Sequence, residues 1–237
     1  MIHNTDGIKA IKELDEDIDL LITDPPYNIS TKKVEPKNFT DYRNPDKIRK
    51  RKLSLDFGKW DYDFDEDWIY DVQHRVKGWV IIFCAKQQIS TYLKALESKF
   101  IATGVGVWRK PNKSPYHLRE KFWDTWEAFV YGKRPSTKFN GYKIENIFEH
   151  PVNNHNRIHP TQKPVPLFEE LISYTSNGGL IADPFAGSGT TAIACQNMGL
   201  RYYCCEIDEV LCRKANQRLN KFIQAKGTAN MSKTVVQ

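Results

Sequence analysis

The chain has 237 residues, of which 40% are hydrophobic and 12% aromatic, so it can bury a substantial core and is not disordered as a whole. The formal net charge of +6 and the pI of about 8.9 allow a polyanionic partner without demanding one. No apolar run approaches the roughly 20 residues of a membrane-spanning helix, and the first residues show no basic-then-apolar signal segment, so we expect a cytoplasmic protein with no membrane partner.

Short apolar runs alternate with amphipathic stretches, which predicts strands followed by helices. In chain order, we predict a strand at 1–5, a helix at 7–14, a strand at 17–23, a helix at 68–76, a strand at 79–84, a helix at 87–98, strands at 101–108 and 127–131, a helix after Pro164, a strand at 179–182, a helix closed by Gly199, a strand at 201–205 and a helix at 209–223. This alternation indicates an α/β sheet with helices on both faces. We expect one domain over 1–226 and a frayed polar tail over 227–237.

A polar and basic segment interrupts the alternation after the second strand. Residues 31–55 contain nine lysines or arginines against three acidic residues, and they show no apolar periodicity. Several prolines and asparagines break the segment further. We therefore predict a mobile basic loop over 31–56.

The five cysteines give no sign of a metal site. Their number is odd and their spacing matches no zinc pattern. The adjacent Cys204 and Cys205 lie in a predicted strand, where neighbouring side chains point to opposite faces. We expect buried, reduced thiols and no bound metal.

The strand predicted at 17–23 ends in the rigid tetrapeptide Asp24-Pro25-Pro26-Tyr27. Open parallel sheets bind ligands beside the carboxyl ends of their strands. Proline has no N–H to donate, but its carbonyl still accepts hydrogen bonds. The Asp24 carboxylate and the Pro25 carbonyl therefore offer two acceptors to a planar NH₂ group, and Tyr27 offers a ring for stacking. The alternative is that the tetrapeptide is only a stiff turn.

Two such acceptors suit the exocyclic amine of a nucleobase. By binding both protons, they would favour a pyramidal nitrogen whose lone pair points at an electrophilic methyl group. This chemistry needs positioning and electrostatics and no covalent intermediate. A base inside a duplex cannot reach the pocket, so it would have to be flipped out.

The segment 183–192, DPFAGSGTTA, is a glycine-rich turn between a predicted strand and a predicted helix. Gly187 allows a sharp turn, Gly189 lets a ligand approach the backbone, and the small Ala192 allows close packing. Glu206 lies about 17 residues beyond Gly189, at the end of the next strand, near the spacing at which an acid binds a ribose diol. The pattern predicts a nucleoside cofactor, and a turn that serves packing alone is the alternative.

Together these motifs resemble those of the S-adenosylmethionine-dependent DNA amino-methyltransferases, and in particular their beta group, in which the catalytic tetrapeptide precedes the cofactor motif. The resemblance covers nearly the whole chain. It rests on TDPPYNIS at 23–30, FGKWD at 57–61, VWRKPN at 107–112, EAFVYGKRP at 127–135, HPTQKP at 159–164 and DPFAGSGTT at 183–191. It implies a Rossmann-like methyltransferase fold, circularly permuted, with a seven-stranded, mostly parallel sheet and one antiparallel strand.

The resemblance also implies which residues form the site. The catalytic residues would be Asp24, Pro25, Pro26 and Tyr27. The residues that bind S-adenosyl-L-methionine would be Asp6, Thr161, Lys163, Asp183, Phe185, Gly187, Ser188, Gly189, Thr190, Thr191, Glu206 and Ile207. Glu206 would take the ribose hydroxyls and Asp183 the methionine ammonium group. Lys163 would sit near the cofactor carboxylate, and Asp6 near its adenine amine.

Within the beta group, DPPY usually accompanies methylation of adenine N6, and SPPY that of cytosine N4. The tetrapeptide with Asp24 therefore implies an adenine-N6 methyltransferase that acts on a flipped adenine in duplex DNA. Cytosine C5 methylation would need a cysteine after a proline, and the sequence contains no Pro-Cys pair. Cytosine-N4 methylation, RNA methylation and a catalytically inactive DNA-binding relative stay open. A nicotinamide-dependent Rossmann oxidoreductase would explain 183–206 but would leave 24–27 without a role.

Duplex DNA must be held by phosphate contacts, mainly from lysine and arginine. The candidate DNA-binding residues are Lys47, Arg49, Lys50, Arg51, Lys52, Arg109, Lys110 and Lys113. The segment 136–158 is expected to read the target sequence, although it is short for a recognition domain. A homodimer and a cognate restriction endonuclease are partners that the resemblance leaves open.

Overall fold

The structure, a computed structural model, describes residues 1–28, 38–41, 44–50, 64–113, 122–153 and 157–234. The chain divides into two compact units. Met1–Pro25 and Glu66–Gln237 form the first unit, and Pro26–Asp65 form the second. The division therefore falls inside the predicted catalytic tetrapeptide, between Pro25 and Pro26.

The described residues form one large sheet and one small sheet. In chain order, the strands are β1 (Ile2–Asn4), β2 (Ile18–Thr23), β3 (Asn38–Asp41), β4 (Asn44–Lys50), β5 (Val76–Cys84), β6 (Ile101–Arg109), β7 (Trp126–Lys133), β8 (Ile147–Glu149), β9 (Leu180–Asp183) and β10 (Tyr202–Glu206). β3 and β4 pair antiparallel in the second unit, and the other eight strands form the sheet of the first unit.

The large sheet has the strand order β1-β10-β9-β2-β5-β7-β6-β8. Neighbouring strands are parallel except where β7 pairs with β5 and with β6. The prediction of a mostly parallel sheet with one antiparallel strand is confirmed. The sheet has eight strands where seven were expected, because Ile147–Glu149 adds beside β6 from within the segment predicted to read the target sequence.

Six helices belong to the described part of the first unit. They are α1 (Gly7–Lys12), α2 (Trp68–Val72), α3 (Ile89–Glu97), α4 (Val165–Thr175), α5 (Thr190–Met198) and α6 (Glu209–Thr234). α2 contacts α1 and α3, while α5 contacts α4 and α6, so the helices form two groups, as expected when both faces of a sheet are covered. Among the residues that the structure describes, none of the helices is long and apolar enough to cross a membrane.

The core lies around the central strands, which are buried along nearly their whole length. This matches parallel strands that are covered on both faces. Fully buried residues of β2 and β5 include Ile18, Leu20, Leu21, Ile22, Val80, Ile82 and Phe83. Phe83 stacks on Phe168 of α4, with ring centroids 5.4 Å apart, and this contact fixes α4 on the sheet. Burying one such side chain contributes about 2 kcal/mol.

Two segments that the sequence predicted to be irregular contain regular structure. Within the predicted mobile loop, β3 and β4 form a hairpin whose backbone pairing requires no apolar periodicity, and 29–37, 42–43 and 51–63 lie outside the described residues. At the carboxyl end, α6 continues to Thr234, where the sequence predicted a frayed tail. The helix includes Gly227, and a glycine inside a helix lowers helix stability by only about 1 kcal/mol relative to alanine.

All five cysteines are buried and unbridged, as predicted. Burial raises the pKa of Cys84, Cys195 and Cys205 to about 12. Thiols with such pKa values are almost entirely protonated at neutral pH, and the thiolate is the reactive form. These cysteines therefore act as small core residues.

A close contact between α1 and the glycine-rich turn generates a prediction for stability. A Cβ added to Gly7 would lie 2.2 Å from the carbonyl oxygen of Pro184. We expect Gly7→Ala to lower the free energy of unfolding by about 3 kcal/mol, because backbone must move to admit the methyl group. In the matched control Gly199→Ala, φ is 69° but nothing lies within 4 Å of the new methyl, so the loss should be only about 1 kcal/mol. Equal losses in urea denaturation would contradict the close contact.

Candidate active site

The carboxyl ends of four parallel strands, β1, β10, β9 and β2, lie side by side at one edge of the sheet. The residues that directly follow these strands are Thr5, Ile207, Pro184 and Asp24. The antiparallel β7 begins at the same edge, since Ala128 pairs with Cys84 at the end of β5. The topology thus brings the start of the tetrapeptide and the glycine-rich turn to one edge, where such sheets bind ligands.

A buried carboxylate joins the ends of β2 and β9. Thr23 Oγ1 donates to Asp183 Oδ1 at 2.6 Å, and Thr191 of α5 donates to Asp183 Oδ2. The N–H of Phe185 donates to Oδ1 at 3.1 Å. Asp183 is 3% exposed, and burial raises the pKa of its carboxyl to about 6. This carboxylate ties two strands to a helix, and its predicted contact with a cofactor ammonium group stays a prediction.

The glycine-rich turn and the residues after β10 donate hydrogen bonds to the carboxylate of Glu206. Gly187 N–H donates to Glu206 Oε2 at 2.8 Å, and Asp208 N–H donates to Oε1 at 2.9 Å. Gly187 and Gly189 have φ values of 51° and 79°, a region that glycine adopts without strain. Burial raises the pKa of Glu206. A Cβ on Gly187 would meet nothing closer than 3.9 Å, so a ligand has room to approach the backbone beside this carboxylate.

Four charged side chains, Asp24, Lys163, Glu127 and Lys110, form an alternating row that we call the charge chain. Lys163 Nζ lies 2.5 Å from Asp24 Oδ2 and 3.0 Å from Glu127 Oε2. Lys110 Nζ binds the other oxygen of Glu127, Oε1. The side chains of Lys163 and Lys110 are only 4% and 9% exposed, so both positive charges are compensated by carboxylates inside the protein.

Within the charge chain, Glu127 and Lys163 favour each other's ionised form. Burial opposes the charge of Glu127, but Lys163 and Lys110 outweigh it and lower the pKa of Glu127 to about 2. Burial also opposes the charge of Lys163, whereas Asp24 and Glu127 raise the pKa of its ammonium group. Opposite charges at short distance therefore offset the unfavourable free energy of burying Glu127 and Lys163.

Lys163 is also joined to the glycine-rich turn and to the core. Thr190 Oγ1, at the start of α5, donates to the Lys163 carbonyl oxygen at 3.1 Å. The ammonium of Lys163 lies 5.2 Å from the ring centroid of Phe83, the same ring that stacks on Phe168. One residue of the HPTQKP segment thus contacts both predicted motifs. Lys163 contacts two protein carboxylates, and its predicted place next to a cofactor carboxylate stays a prediction.

Two other predicted cofactor-binding residues hold the local backbone. Asp6 caps α1, because its Oδ1 accepts hydrogen bonds from the N–H groups of Ile8 and Lys9. Ser188 is buried, and its carbonyl accepts from Arg218 Nη1 at 2.8 Å. Their predicted contacts with a cofactor stay predictions.

The remaining predicted side chains are more accessible. Phe185 packs edge-on against Trp68, with ring centroids 5.1 Å apart. Ile207 is 67% exposed, which leaves its side chain available to a flat ligand. Thr161 is exposed, and its Oγ1 lies 2.8 Å from Nδ1 of His159.

The structure places Lys110, a predicted DNA-binding residue, largely inside the protein. Lys110 is 9% exposed and its ammonium is paired with Glu127, so the side chain is not presented to a phosphate. In the sequence, Lys110 belongs to a basic cluster after β6. The antiparallel start of β7 places Glu127 beside it, and this pairing could not be read from the local sequence.

The other predicted DNA-binding residues occupy different places. Arg109 pairs with Glu149 at the surface, with side chains 59% and 50% exposed. Lys113 donates to the carbonyl oxygen of Asp124. On β4 of the second unit lie Lys47, Arg49 and Lys50, whereas Arg51 and Lys52 fall outside the described residues.

The tetrapeptide is shared between the two units. Its first two residues belong to the first unit, and Pro26 and Tyr27 belong to the second. Within the second unit, the Asn28 side chain donates to the carbonyl of Phe64 at 2.8 Å and accepts from its N–H at 2.9 Å. These two bonds join the beginning and the end of that unit.

Sequence analysis missed two residues that complete this arrangement. Glu127 stands directly before the apolar run of β7, and a carboxylate at the start of a buried strand is the signal that would have found it. Thr23 directly precedes Asp24 and is fully buried, so its hydroxyl requires a partner. Both residues stand at the start of motifs that carry the resemblance, 23–30 and 127–135, but neither was assigned a role in the site.

Comparison with known proteins gives consistent matches. A family model described as DNA methylase matches residues 18–217. The chain is 28% identical over 246 residues to the Type II methyltransferase M.HpaI of Haemophilus parainfluenzae, which covers 91% of this chain and 73% of that protein. It is 32% identical over 209 residues to the Type II methyltransferase M2.MboI of Moraxella bovis, with 76% and 72% covered. The crystal structure of the M1.HpyAVI–SAM complex aligns with a TM-score of 0.67 at 26% identity, covering 92% of this chain and 98% of that one.

The charge chain generates a prediction about stability and pH. Glu127→Gln leaves two buried lysines without their shared carboxylate, so we expect the free energy of unfolding to fall by about 3 kcal/mol at pH 7. The pKa of Glu127 lies below its usual value of 4.5, so its ionised form stabilises the fold above pH 4.5, and this contribution is lost as the pH falls toward 2. The difference between variant and native protein should therefore shrink over that range.

The matched control for this prediction is Glu149→Gln. Glu149 also forms an ion pair, with Arg109, but its side chain is 50% exposed. Its loss should cost less than about 1 kcal/mol at pH 7. Chemical denaturation of both variants between pH 3 and pH 7 provides the measurement, and equal effects would mean that the Glu127 pair behaves as a surface pair.

Proposed function

This chain belongs to the DNA methylase family, and we propose that it transfers a methyl group from S-adenosyl-L-methionine to the N6 amino group of a flipped-out adenine in duplex DNA. It is an enzyme, a DNA methyltransferase. The observation that carries the proposal is the hydrogen bond from Thr23 to Asp183. It fixes Asp24, the next residue, beside the strand that leads into the glycine-rich turn.

Residues of the first unit fit S-adenosyl-L-methionine, which supplies an electrophilic methyl group on a sulfonium. The buried Glu206 carboxylate at the end of β10 suits the two ribose hydroxyls. The room beside Gly187 suits close approach of a ligand to the backbone. The aligned structure of M1.HpyAVI is described as a complex with SAM, which supports the same cofactor for this chain.

Asp24 and Pro25 position the target amine. The carboxylate and the Pro25 carbonyl accept its two protons and favour a pyramidal nitrogen. The nitrogen lone pair then forms the bond to the methyl carbon, the carbon–sulfur bond breaks with its electron pair on sulfur, and the methylated nitrogen releases a proton to water. The protein supplies position and charge, and none of its residues becomes covalently attached.

The assignment of adenine rests on Asp24, which occupies the first position of DPPY. Cytosine N4 is the alternative, because it is also an exocyclic amine that two acceptors can bind. The target base needs to leave the duplex in either case.

We propose that lysine and arginine side chains bind the duplex. The candidates of the second unit are Lys47, Arg49, Lys50, Arg51 and Lys52, and Arg109 and Lys113 of the first unit are a separate group of candidates. Phosphate contacts from such residues position the duplex without reading its sequence. The segment 136–158 reads the target, and its small size favours a short target or help from a second subunit.

The partners beyond DNA are also part of the proposal. M.HpaI and M2.MboI are named Type II methyltransferases, which supports a role beside a cognate restriction endonuclease in the cytoplasm. A homodimer would supply additional recognition surface. Sedimentation of the protein with and without DNA determines its oligomeric state.

The function is tested by incubating the protein with tritiated S-adenosyl-L-methionine and duplex DNA of diverse sequence. Digestion to nucleosides should place the label on N6-methyladenine. Label on N4-methylcytosine would establish the alternative, and label in RNA but not in DNA would contradict both. Matched duplexes that lack adenine in the modified sequence serve as controls.

The role of Asp24 is tested by Asp24→Ala. We expect methyl transfer to fall at least about 100-fold, because the acceptor that orients the amine is lost, while S-adenosyl-L-methionine still binds in calorimetry. Asp71→Ala, which removes an acid with a 56% exposed side chain, should retain activity. Turnover by the Asp24 variant at the native rate would remove Asp24 from the mechanism.

The role of the second unit is tested by replacing Lys47, Arg49 and Lys50 together with alanine. DNA should bind more weakly, and the slope of log K against log salt should flatten by up to about three units, roughly one for each lost phosphate contact. The control replaces Lys9, Lys12 and Lys77 of the first unit, whose side chains are 78%, 45% and 58% exposed. An unchanged slope in the β4 variant would place the phosphate contacts elsewhere.

A further inference from the structure

We propose that Lys163 is a positioning residue for methyl transfer: by binding Asp24, it holds the carboxylate that receives the target amine and links it to the cofactor turn. The inference rests on the proposed function, because it assigns Asp24 to the amine. It differs from the role that the sequence suggested for Lys163, which was contact with the cofactor carboxylate.

The first argument is geometric. Lys163 Nζ lies 2.5 Å from Asp24 Oδ2, and the lysine side chain is 4% exposed. A carboxylate has two oxygens and about four acceptor positions. An ammonium bound to one of these oxygens therefore restricts the orientation of the carboxylate. Asp24 has a 22% exposed side chain, so it reaches toward the surface while its partner stays inside.

The second argument concerns charge. Lys163 lies between Asp24 and Glu127, and Lys110 binds the far side of Glu127. If Lys163 served a cofactor carboxylate alone, Glu127 and its second lysine would have no reason to be buried behind it. Glu127 instead gives the Lys163 ammonium a second carboxylate partner besides Asp24, at 3.0 Å. A buried ion pair is stabilising only when its geometry is well supported, and here the support comes from Glu127.

The third argument is connectivity. The carbonyl oxygen of Lys163 accepts a hydrogen bond from Thr190 at the start of α5, which follows the glycine-rich turn. The Lys163 ammonium also lies over the ring of Phe83, which stacks on Phe168. The main chain of Lys163 is thus bound by Thr190, next to the glycine-rich turn, and its ammonium is bound by Asp24. Lys163 sets the distance between the two.

In this mechanism Lys163 keeps its proton throughout. The new nitrogen–carbon bond forms, the carbon–sulfur bond breaks, and the released proton goes to water. Lys163 contributes only the orientation of Asp24. A displacement of about 1 Å in a reacting group is enough to cost about 100-fold in rate.

The test is Lys163→Met, which keeps the length and apolar stem of the side chain and removes its charge. We measure the maximal rate of methyl transfer on duplex DNA and, by calorimetry, the Kd for S-adenosyl-L-methionine. The maximal rate should fall about 100-fold, and the Kd should stay within about threefold of the native value, since the cofactor does not depend on Lys163. The control is Lys133→Met, which removes a half-buried lysine at the far end of β7 that binds only carbonyl oxygens.

Two results would overturn the proposal. In one, Lys163→Met transfers methyl groups at the native maximal rate. In the other, the Kd for S-adenosyl-L-methionine rises steeply while the maximal rate at saturation is retained, which is the signature of a cofactor contact. If Lys163→Met does not fold by circular dichroism, Lys163→Gln is judged by the same two measurements.

A double variant gives an independent check. In the Asp24→Asn background, the charged partner of Lys163 is already lost, so adding Lys163→Met should reduce the residual rate far less than it does in the native protein. Full additivity would show that the two residues act separately. Failure of the proposed function is recognised differently, because then the native protein itself transfers no methyl group to DNA.

Discussion

The hydroxyl of Thr23 and the carboxylate of Asp183 form the bond on which the site depends, because it joins the ends of two parallel strands that carry different motifs. Asp183 is buried and also accepts hydrogen bonds from Thr191 and from the Phe185 N–H, so one carboxylate connects β2, β9 and the start of α5. Parallel strands place their carboxyl ends at one edge of the sheet, and this bond joins two of those ends beyond the last backbone pair of β2 and β9. The connection requires a buried carboxylate, and the loss of hydration raises the pKa of Asp183.

The charge chain provides a second set of contacts that position Asp24. β7 runs against its neighbours, so its first residues, with Glu127, lie at the edge where the parallel strands end. The single reversed strand therefore has a chemical consequence, because it brings a carboxylate next to Lys163 and Lys110. A fully parallel sheet would place the far end of that strand at this edge, and the two lysines would lack a partner.

The features of the site that could be predicted from the sequence are those that depend on neighbouring residues. Asp24 and Glu206 follow short apolar runs, and the turn residues Gly187 and Gly189 need their positive φ, so strand ends and turn could be recognised from neighbouring residues. The pairing of Lys110 with Glu127 depends on the register of antiparallel strands, and a basic cluster in the sequence suggested a phosphate contact instead. The hairpin of β3 and β4 was missed for a related reason, since backbone pairing between polar residues leaves no apolar period to detect.

The burial of all five thiols has a practical consequence for following the enzyme at work. Maleimide reagents attack thiolates, and cysteines with a pKa of about 12 supply very little of that form at neutral pH. A single exposed cysteine introduced into the second unit would therefore carry a fluorophore selectively, without removal of the native cysteines. The emission of that label would show whether the second unit contacts a nucleic acid.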